Sequence, residues 1–212
     1  MYYINGSPLA VTALQNDLGV LISSDLSWSQ HIKEVVHKAN KQLYMVKKSF
    51  PRCSIQTCKL IYTSFIRPIL EYAGPVWCPV LVRDKIALES VQRKATRIPF
   101  GIIRPSYEER LQLFNIPSFS ARRDRGDLII TYRALHGTFA CDLSDLFVLD
   151  CAGRRGHHYK LYRESFKTIV REHFLSNRVF RQWNSLSAEI VSAQTVNSFK
   201  NRLDCFNRNS LN

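Results

Sequence analysis

Apolar residues recur every three or four positions between residues 28 and 46, and this spacing constrains the fold more than any other feature. They are Trp28, Ile32, Val35, Val36, Ala39, Leu43 and Val46. Lysines and other polar residues fill the positions between them, which is the pattern of an amphipathic α-helix with one buried face. We predict a long helix that Ser24 or Ser27 caps and that ends near Phe50-Pro51.

Two further helices are predicted shortly after this one. Ser54 is expected to cap the second helix, which is apolar on most sides and which Pro68 ends or kinks. The third is expected from about Asp84 to Arg97, with Leu88 and Val91 on its apolar face. Three helices with short connections predict a compact bundle, with the second helix at its buried centre.

The first 22 residues have the character of strands. A short apolar run at residues 2–4 is followed by a turn at residues 5–8 and by a second apolar run at residues 18–22. Two or three strands do not make an independent sheet. We therefore expect the chain to open inside a domain whose earlier part is absent, or to pack these strands on the helices. The predicted fold class is mainly α with short N-terminal β-strands.

The second half is predicted to be a basic helical region. Ser106 and Glu109 have the spacing of a capping box, and a longer helix is expected from Ser118 to Leu135. Glycines at both ends of residues 153–156 predict an exposed loop, and short helices are expected at about 176–186 and 195–205.

The net charge of +13 favours polyanionic partners, with nucleic acid ahead of an anionic membrane. Residues 90–135 hold nine basic side chains against four acidic ones, and residues 153–183 hold eight against two. Arginine predominates in both stretches, which suits bidentate contacts with phosphate. No apolar run approaches the roughly 18 residues that span a bilayer, so we expect no membrane partner.

Three groups of basic residues are the candidate nucleic-acid contacts. They are Arg93, Lys94 and Arg97; Arg122, Arg123 and Arg125; and Arg154, Arg155 and His157. The first group is expected to line a groove, the second to project together at a phosphate backbone, and the third to follow a strand by charge and stacking. A solvated helix face or an ordinary charged loop is the alternative for each group.

No catalytic or metal site is predicted. Polymerisation needs carboxylates that converge on divalent metal ions, and no two Asp residues are adjacent in the sequence. The six cysteines lack the spacing of zinc ligands, and Cys58 is expected to be a core thiol. The start of the chain does not have the pattern of a signal peptide, so free thiols in the cytoplasm or nucleus are expected. We predict no cofactor and no small-molecule substrate.

Two sequence boxes carry a resemblance to a known family. The first is R-P-I-L-E-Y-A-x-x-V-W at residues 67–77, and the second is L-E-x-V-Q-R-x-x-T-R at residues 88–97. In this order they resemble the region that follows the polymerase active site in reverse transcriptases of non-LTR (jockey-like, LINE-type) retrotransposons. Further similar segments lie at residues 17–20, 26–32, 107–111, 121–124, 155–157, 174–179, 183–186 and 198–203. The sequence departs from the family at Leu186-Ser187, where Leu-Pro is usual, and in having no C-terminal zinc knuckle.

The resemblance implies an origin for each part of the chain. Residues 1–26 look like the last strands of a palm, residues 27–100 like a thumb, and residues 101–212 like a basic C-terminal helical region. It implies a truncated RNA-directed DNA polymerase without its catalytic carboxylates, which is not an enzyme by itself but binds template-primer, target DNA or element RNA. The alternatives are a helical protein-interaction module and a non-functional product of a decayed transposon.

Overall fold

The computed structural model describes residues 3–8, 10–51, 53–101, 105–139, 144–150 and 156–209. The strands are β1 (Tyr3–Ile4), β2 (Ser7–Pro8), β3 (Leu14–Asp17) and β4 (Val20–Ser23). The helices are α1 (Ser29–Ser49), α2 (Ile55–Ile61), α3 (Arg67–Glu71), α4 (Val82–Ala95), α5 (Tyr107–Phe114), α6 (Phe119–Leu135), α7 (Ile169–Glu172), α8 (Leu175–Ser185), α9 (Ala188–Val191) and α10 (Val196–Asn209), with a 3-10 turn at Ser144–Leu146. The predicted class, mainly α with short N-terminal strands, is confirmed.

The chain divides into two compact units. The first unit comprises Met1–Ala73 and Pro79–Ile116, and the second comprises Gly74–Cys78 and Pro117–Asn212. The last four residues of the first sequence box, 74–77, therefore group with the second half of the chain. The three segments 1–26, 27–100 and 101–212 were defined by the family resemblance, and they stay a prediction.

The first unit begins with two antiparallel pairs of strands. β1 pairs with β2, and β3 pairs with β4. The second pair is tied to α1, because the Leu21 backbone N–H donates to Nδ1 of the buried His31 over 3.2 Å. A two-stranded sheet is at best marginally stable by itself, and the hydrogen bond to α1 stabilises this one.

Helix α1 has the predicted buried face, formed by Ile32, Val35, Ala39, Leu43 and Val46. Its N-cap residue is Trp28 rather than Ser24 or Ser27, and no side chain caps it. The Ser29 hydroxyl in its first turn instead donates to the carboxylate of Asp84 over 2.6 Å. This bond joins the first turns of α1 and α4.

A π-helical turn at Tyr62–Ile66 connects α2 to α3. Pro68 has no N–H, and its ring clashes with the carbonyl four residues earlier in a regular α-helix. The wider turn relieves this clash, and the Arg67 N–H donates to the Tyr62 carbonyl, five residues back. The helix therefore continues through Pro68 to Glu71, whose side chain pairs with Arg67 one turn earlier at 3.7 Å.

The prediction that the second helix lies at the buried centre was only partly right. Ile61, Ile66 and Leu70 are buried, but Leu60 is 65% exposed and Phe65 60% exposed. Ser54 does cap α2, since its hydroxyl accepts from the Thr57 N–H over 3.1 Å. The segment is thus a flank of the bundle with one face covered.

A buried amide joins three helices of the first unit. The Tyr62 hydroxyl donates to Oε1 of Gln92 over 2.6 Å, and Nε2 of Gln92 donates to the Tyr107 hydroxyl over 3.0 Å. The Tyr107 hydroxyl in turn donates to the Glu89 carboxylate. Burial raises the pKa of both tyrosines, so they stay protonated donors.

The same network continues through Thr96. The Thr96 hydroxyl donates to the Gln92 carbonyl over 3.0 Å and accepts from Nε of the buried Arg110 over 3.2 Å. Arg110 also donates to the Pro105 carbonyl over 2.6 Å. The predicted capping box of α5 is confirmed, since Ser106 and Glu109 bond to each other's backbone N–H groups. Residues 88–97 and 107–111 therefore meet through buried hydrogen bonds.

The second unit is built on α6 and α8 to α10. Ser118, at the predicted start of the helix, caps α6 by accepting from the Ala121 N–H over 3.2 Å. Tyr132 stacks on Phe199 with ring centroids 4.3 Å apart. The buried core contains Leu128, Tyr132, Ala134, Phe147, Leu161, Leu175, Val179, Trp183, Leu186, Ile190, Val191, Ala193, Phe199 and Leu203. The helices predicted at about 176–186 and 195–205 are observed with small shifts in their ends.

We predict that Gln92→Leu destabilises the first unit. The change removes the acceptor of Tyr62 and leaves its buried hydroxyl unsatisfied, which costs about 1–3 kcal/mol of unfolding free energy. Urea denaturation measures the loss. Gln112→Leu is the matched control, because Gln112 is exposed on α5 and its loss should stay within about 0.5 kcal/mol. Equal stability of the two variants would contradict a structural role for the amide.

Candidate nucleic-acid interface

Arg123 on α6 binds the end of the first sequence box. Its guanidinium lies over the ring of the fully buried Trp77, 4.1 Å from the centroid. Its Nη2 donates to the carbonyls of Trp77 over 2.6 Å and of Gly74 over 3.1 Å. Burial lowers the pKa of Arg123. The prediction that this side chain faces a phosphate backbone is corrected here, because it fixes a protein segment instead.

The other two arginines of this group have different surroundings. Arg125 forms a bidentate pair with Asp204 of α10, at 2.6 and 2.9 Å, and Arg122 is half-buried. Positions 122 and 125 are three residues apart and lie on one side of the helix, but position 123 is turned about 100° from 122 and about 160° from 125. The expectation of one shared phosphate-facing surface was therefore wrong.

Arg178 on α8 is likewise held inside the second unit. Its guanidinium pairs with both carboxylate oxygens of Asp127, at 2.8 and 2.9 Å, and donates to the carbonyls of Pro75 and His173. Burial by itself lowers the pKa of Arg178, but the hydrogen bonds and charge of Asp127 outweigh it and raise the pKa. Much of the arginine excess in this unit thus stabilises the fold.

His157 is buried rather than part of an exposed loop. Its side chain is 5% exposed, Nε2 lies 3.3 Å from the Trp183 carbonyl, and the ring meets the Trp183 indole edge to face. Burial lowers the pKa of this imidazole. Arg154 and Arg155 lie outside the described residues, so His157 is the one member of this predicted group whose position is known. Because its side chain is buried, it is not accessible to a ligand.

The first predicted group lies at the end of α4, and its three side chains are exposed. Arg93 turns toward α5, with its guanidinium 4.4 Å from the centroid of the Tyr107 ring. Lys94 turns toward α1, where Nζ donates to Oδ1 of Asn40 over 3.0 Å. Arg93 and Lys94 therefore lie on opposite flanks of α4 rather than along one groove, with Arg97 at its end.

The hydrogen bond to Asn40 brings Lys94 beside a basic side of α1 that the sequence analysis did not single out. Lys33, His37, Lys41, Tyr44 and Lys48 are all exposed and follow one another at three- and four-residue intervals. Side chains at this spacing lie on one side of a helix. We call these five residues and Lys94 the lysine face. The three- and four-residue spacing of these basic residues was the sequence signal for this face. It was missed because the solvated side of any amphipathic helix has the same spacing.

The electrostatics of the lysine face are simple. Glu34 is the only acidic residue of α1, all of which the structure describes, and it pairs with Lys38 at 3.3 Å. The lysines of the face therefore have no carboxylate on their own helix to neutralise them. From Lys33 to Lys48 the helix rises by about 22 Å. This length corresponds to roughly six phosphates of one strand along a duplex, at about 3.4 Å each.

Other chemistry finds little support in the described part of the chain. No group of three His, Cys, Asp or Glu side chains there is placed to hold a metal ion, and no helix there is long and apolar enough to cross a bilayer. Cys58 is a core thiol as predicted, and burial raises its pKa to about 12. No family model, curated protein or solved structure matches the chain.

We predict that Arg123→Ala destabilises the second unit. The substitution exposes Trp77 and leaves two backbone carbonyls without a donor, for an expected loss of about 2–4 kcal/mol in unfolding free energy. Denaturation followed by tryptophan fluorescence measures it. Arg181→Ala is the control, since Arg181 is exposed on α8. If both variants unfold at the same denaturant concentration, the contact of Arg123 with residues 74–78 does not stabilise the unit.

We also predict that stability falls as the pH drops below about 6.5. Burial holds the pKa of His157 below its unfolded value, so the unfolded state binds the proton more readily. The stabilisation is complete above the unfolded pKa and declines by at most about 1.4 kcal/mol per pH unit below it. Thermal unfolding between pH 8 and 5.5 tests this. His157→Gln should flatten the profile, whereas His158→Gln, at an exposed neighbour, should not.

Proposed function

We propose that this chain corresponds to the thumb and C-terminal region of a reverse transcriptase of the non-LTR retrotransposon type, and that it binds nucleic acid through the lysine face. No two Asp residues are adjacent in the sequence. The proposal therefore assigns binding to this chain and no polymerisation.

The first support is that the segments behind the resemblance contact one another in pairs. Residues 88–97 meet residues 107–111 through Gln92 and Tyr107. The end of the 67–77 box meets residues 121–124 through Trp77 and Arg123. Segments that carry the resemblance thus pack on one another within each unit, which is compatible with a common origin.

The lysine face is the observation that carries the binding proposal. Its ammonium groups stand on long flexible side chains, and they contact phosphates as mobile point charges rather than in a fixed geometry. Release of counterions from the polyanion drives such binding, so the affinity depends steeply on salt. Tyr44 lies between Lys41 and Lys48 and adds an exposed ring to the same face.

The alternative is a helical module that binds an acidic protein partner through the same lysines. A folded acidic protein carries fewer and less regular charges than a nucleic acid, and its binding follows a shallower salt dependence. Binding of DNA or RNA with a steep salt slope therefore favours the proposal. No complex at low salt with primer-template, duplex or single strands would exclude it.

We predict that Lys33→Gln, Lys41→Gln and Lys48→Gln together weaken nucleic-acid binding. Each lysine that contacts a phosphate contributes roughly one unit to the slope of log affinity against log salt. The triple variant should therefore lose about two to three units of slope and bind at least about tenfold more weakly. Fluorescence anisotropy with a labelled primer-template, at several salt concentrations, measures both quantities.

The matched control removes the same charge elsewhere in the first unit. Lys38, Arg83 and Lys85 are exposed but lie outside the lysine face, and Lys38 is paired with Glu34. The triple glutamine variant at these positions should keep most of the slope. If both variants lose affinity equally, net charge alone accounts for the binding and the lysine face is not the site.

A further inference from the structure

Aromatic and basic residues follow one another along a largely exposed segment of the second unit. Between residues 162 and 174, Tyr162 is 54% exposed and Phe174 40% exposed, while Phe166 is half-buried. Arg163, Lys167 and Arg171 are exposed between them. We call these six residues the aromatic platform. None of these six residues belongs to the buried core of the unit described above.

The basic and aromatic side chains of the platform are paired. The Arg163 guanidinium lies 5.2 Å from the centroid of the Phe166 ring, and the Arg171 guanidinium lies 4.9 Å from that of Phe174. Each pair has the same three-residue spacing, and the two pairs are eight residues apart. A guanidinium above a ring offers a flat cationic surface, on which a base can stack while the charge meets a phosphate.

The backbone on both sides of the platform is held by hydrogen bonds. The Tyr162 N–H donates to the Val148 carbonyl over 2.7 Å. At the other end, the Asn177 amide donates to the Arg171 carbonyl over 2.8 Å, and Nη1 of Arg178 donates to the His173 carbonyl over 3.1 Å. The exposed rings at residues 162 and 174 thus rest on fixed backbone, which lowers the entropy lost when a ligand binds.

The charge of the segment favours an anionic ligand. From residue 160 to 174 there are four basic side chains, Lys160 among them, and two acidic ones, Glu164 and Glu172. Glu164 pairs with Arg171, so part of one basic charge is already compensated. Affinity must therefore come from stacking as well as from charge.

We infer that the aromatic platform binds single-stranded nucleic acid by stacking unpaired bases on its exposed rings. The inference rests on the proposed nucleic-acid binding and adds a second surface, which prefers a single strand to a duplex. A duplex presents base faces only at its ends, so it gains little from rings. A single strand offers every base face, and stacking tolerates any sequence because each base has a π-face.

The test compares two variants of the full chain. Tyr162→Leu with Phe174→Leu removes both rings while keeping apolar bulk and charge. Ile169→Ala with Val170→Ala removes the exposed aliphatic side chains of α7 and leaves the rings. The probe is a labelled single strand of about twelve nucleotides, compared with an abasic strand of equal length and with a duplex. Thermal unfolding checks that both variants fold.

The ring variant should bind the single strand at least about tenfold more weakly, with little change for the abasic strand or the duplex. The aliphatic variant should bind like the parent chain. Quenching of 2-aminopurine placed within the strand tests stacking on the parent protein and requires no variant. Equal binding by the ring variant, or a complex without quenching, would overturn the inference.

Two other results have distinct meanings. If the aliphatic variant loses as much affinity as the ring variant, or if the chain binds phosphatidylserine vesicles and not the single strand, the platform serves an apolar or lipid surface and the inference fails. If no form of nucleic acid binds at all, the proposed function itself fails. Loss of duplex binding in the lysine-face variant, with single-strand binding intact, would separate the two surfaces.

Discussion

The contact between Arg123 and residues 74–78 resolves two problems of burial at once. A guanidinium taken out of water needs acceptors, and the carbonyls of an irregular buried segment need donors. Arg123 supplies donors to Gly74 and Trp77 while the indole ring covers its face. Arg178 does the same for Pro75, with Asp127 balancing its charge. These two arginines thus bond the carbonyls of Gly74, Pro75 and Trp77 into the second unit.

Because buried carbonyls need donors, arginine and lysine have different roles in the chain. Arginine presents several donors in a fixed plane, which suits a buried segment with several carbonyls or a facing carboxylate. Lysine carries a compact charge that is strongly hydrated and stays in water. Arg123, Arg125 and Arg178 accordingly stabilise the fold, while the lysines of α1 remain on the surface. A bias toward arginine is therefore a poor guide to the position of a phosphate-binding surface in this sequence.

The sequence predicted what local spacing determines and missed what distant partners determine. Helices such as α1 and α6 follow from apolar periodicity, and the caps at Ser54 and Ser106 follow from neighbouring residues. The partners of Arg123 and Arg178 lie 46 and 103 residues away, and no local pattern indicates them. The same limit explains His157, which looked like part of a charged loop but is covered by Trp183.

The two proposed surfaces also limit what kind of recognition this chain can perform. Contacts with phosphates position a nucleic acid but carry no sequence information, and stacking on rings accepts any base. Direct readout needs planar donors or acceptors aimed at base edges, which is the chemistry that Arg123, Arg125 and Arg178 use inside the fold. Binding through the lysine face and the aromatic platform should therefore distinguish paired from unpaired strands and not one sequence from another.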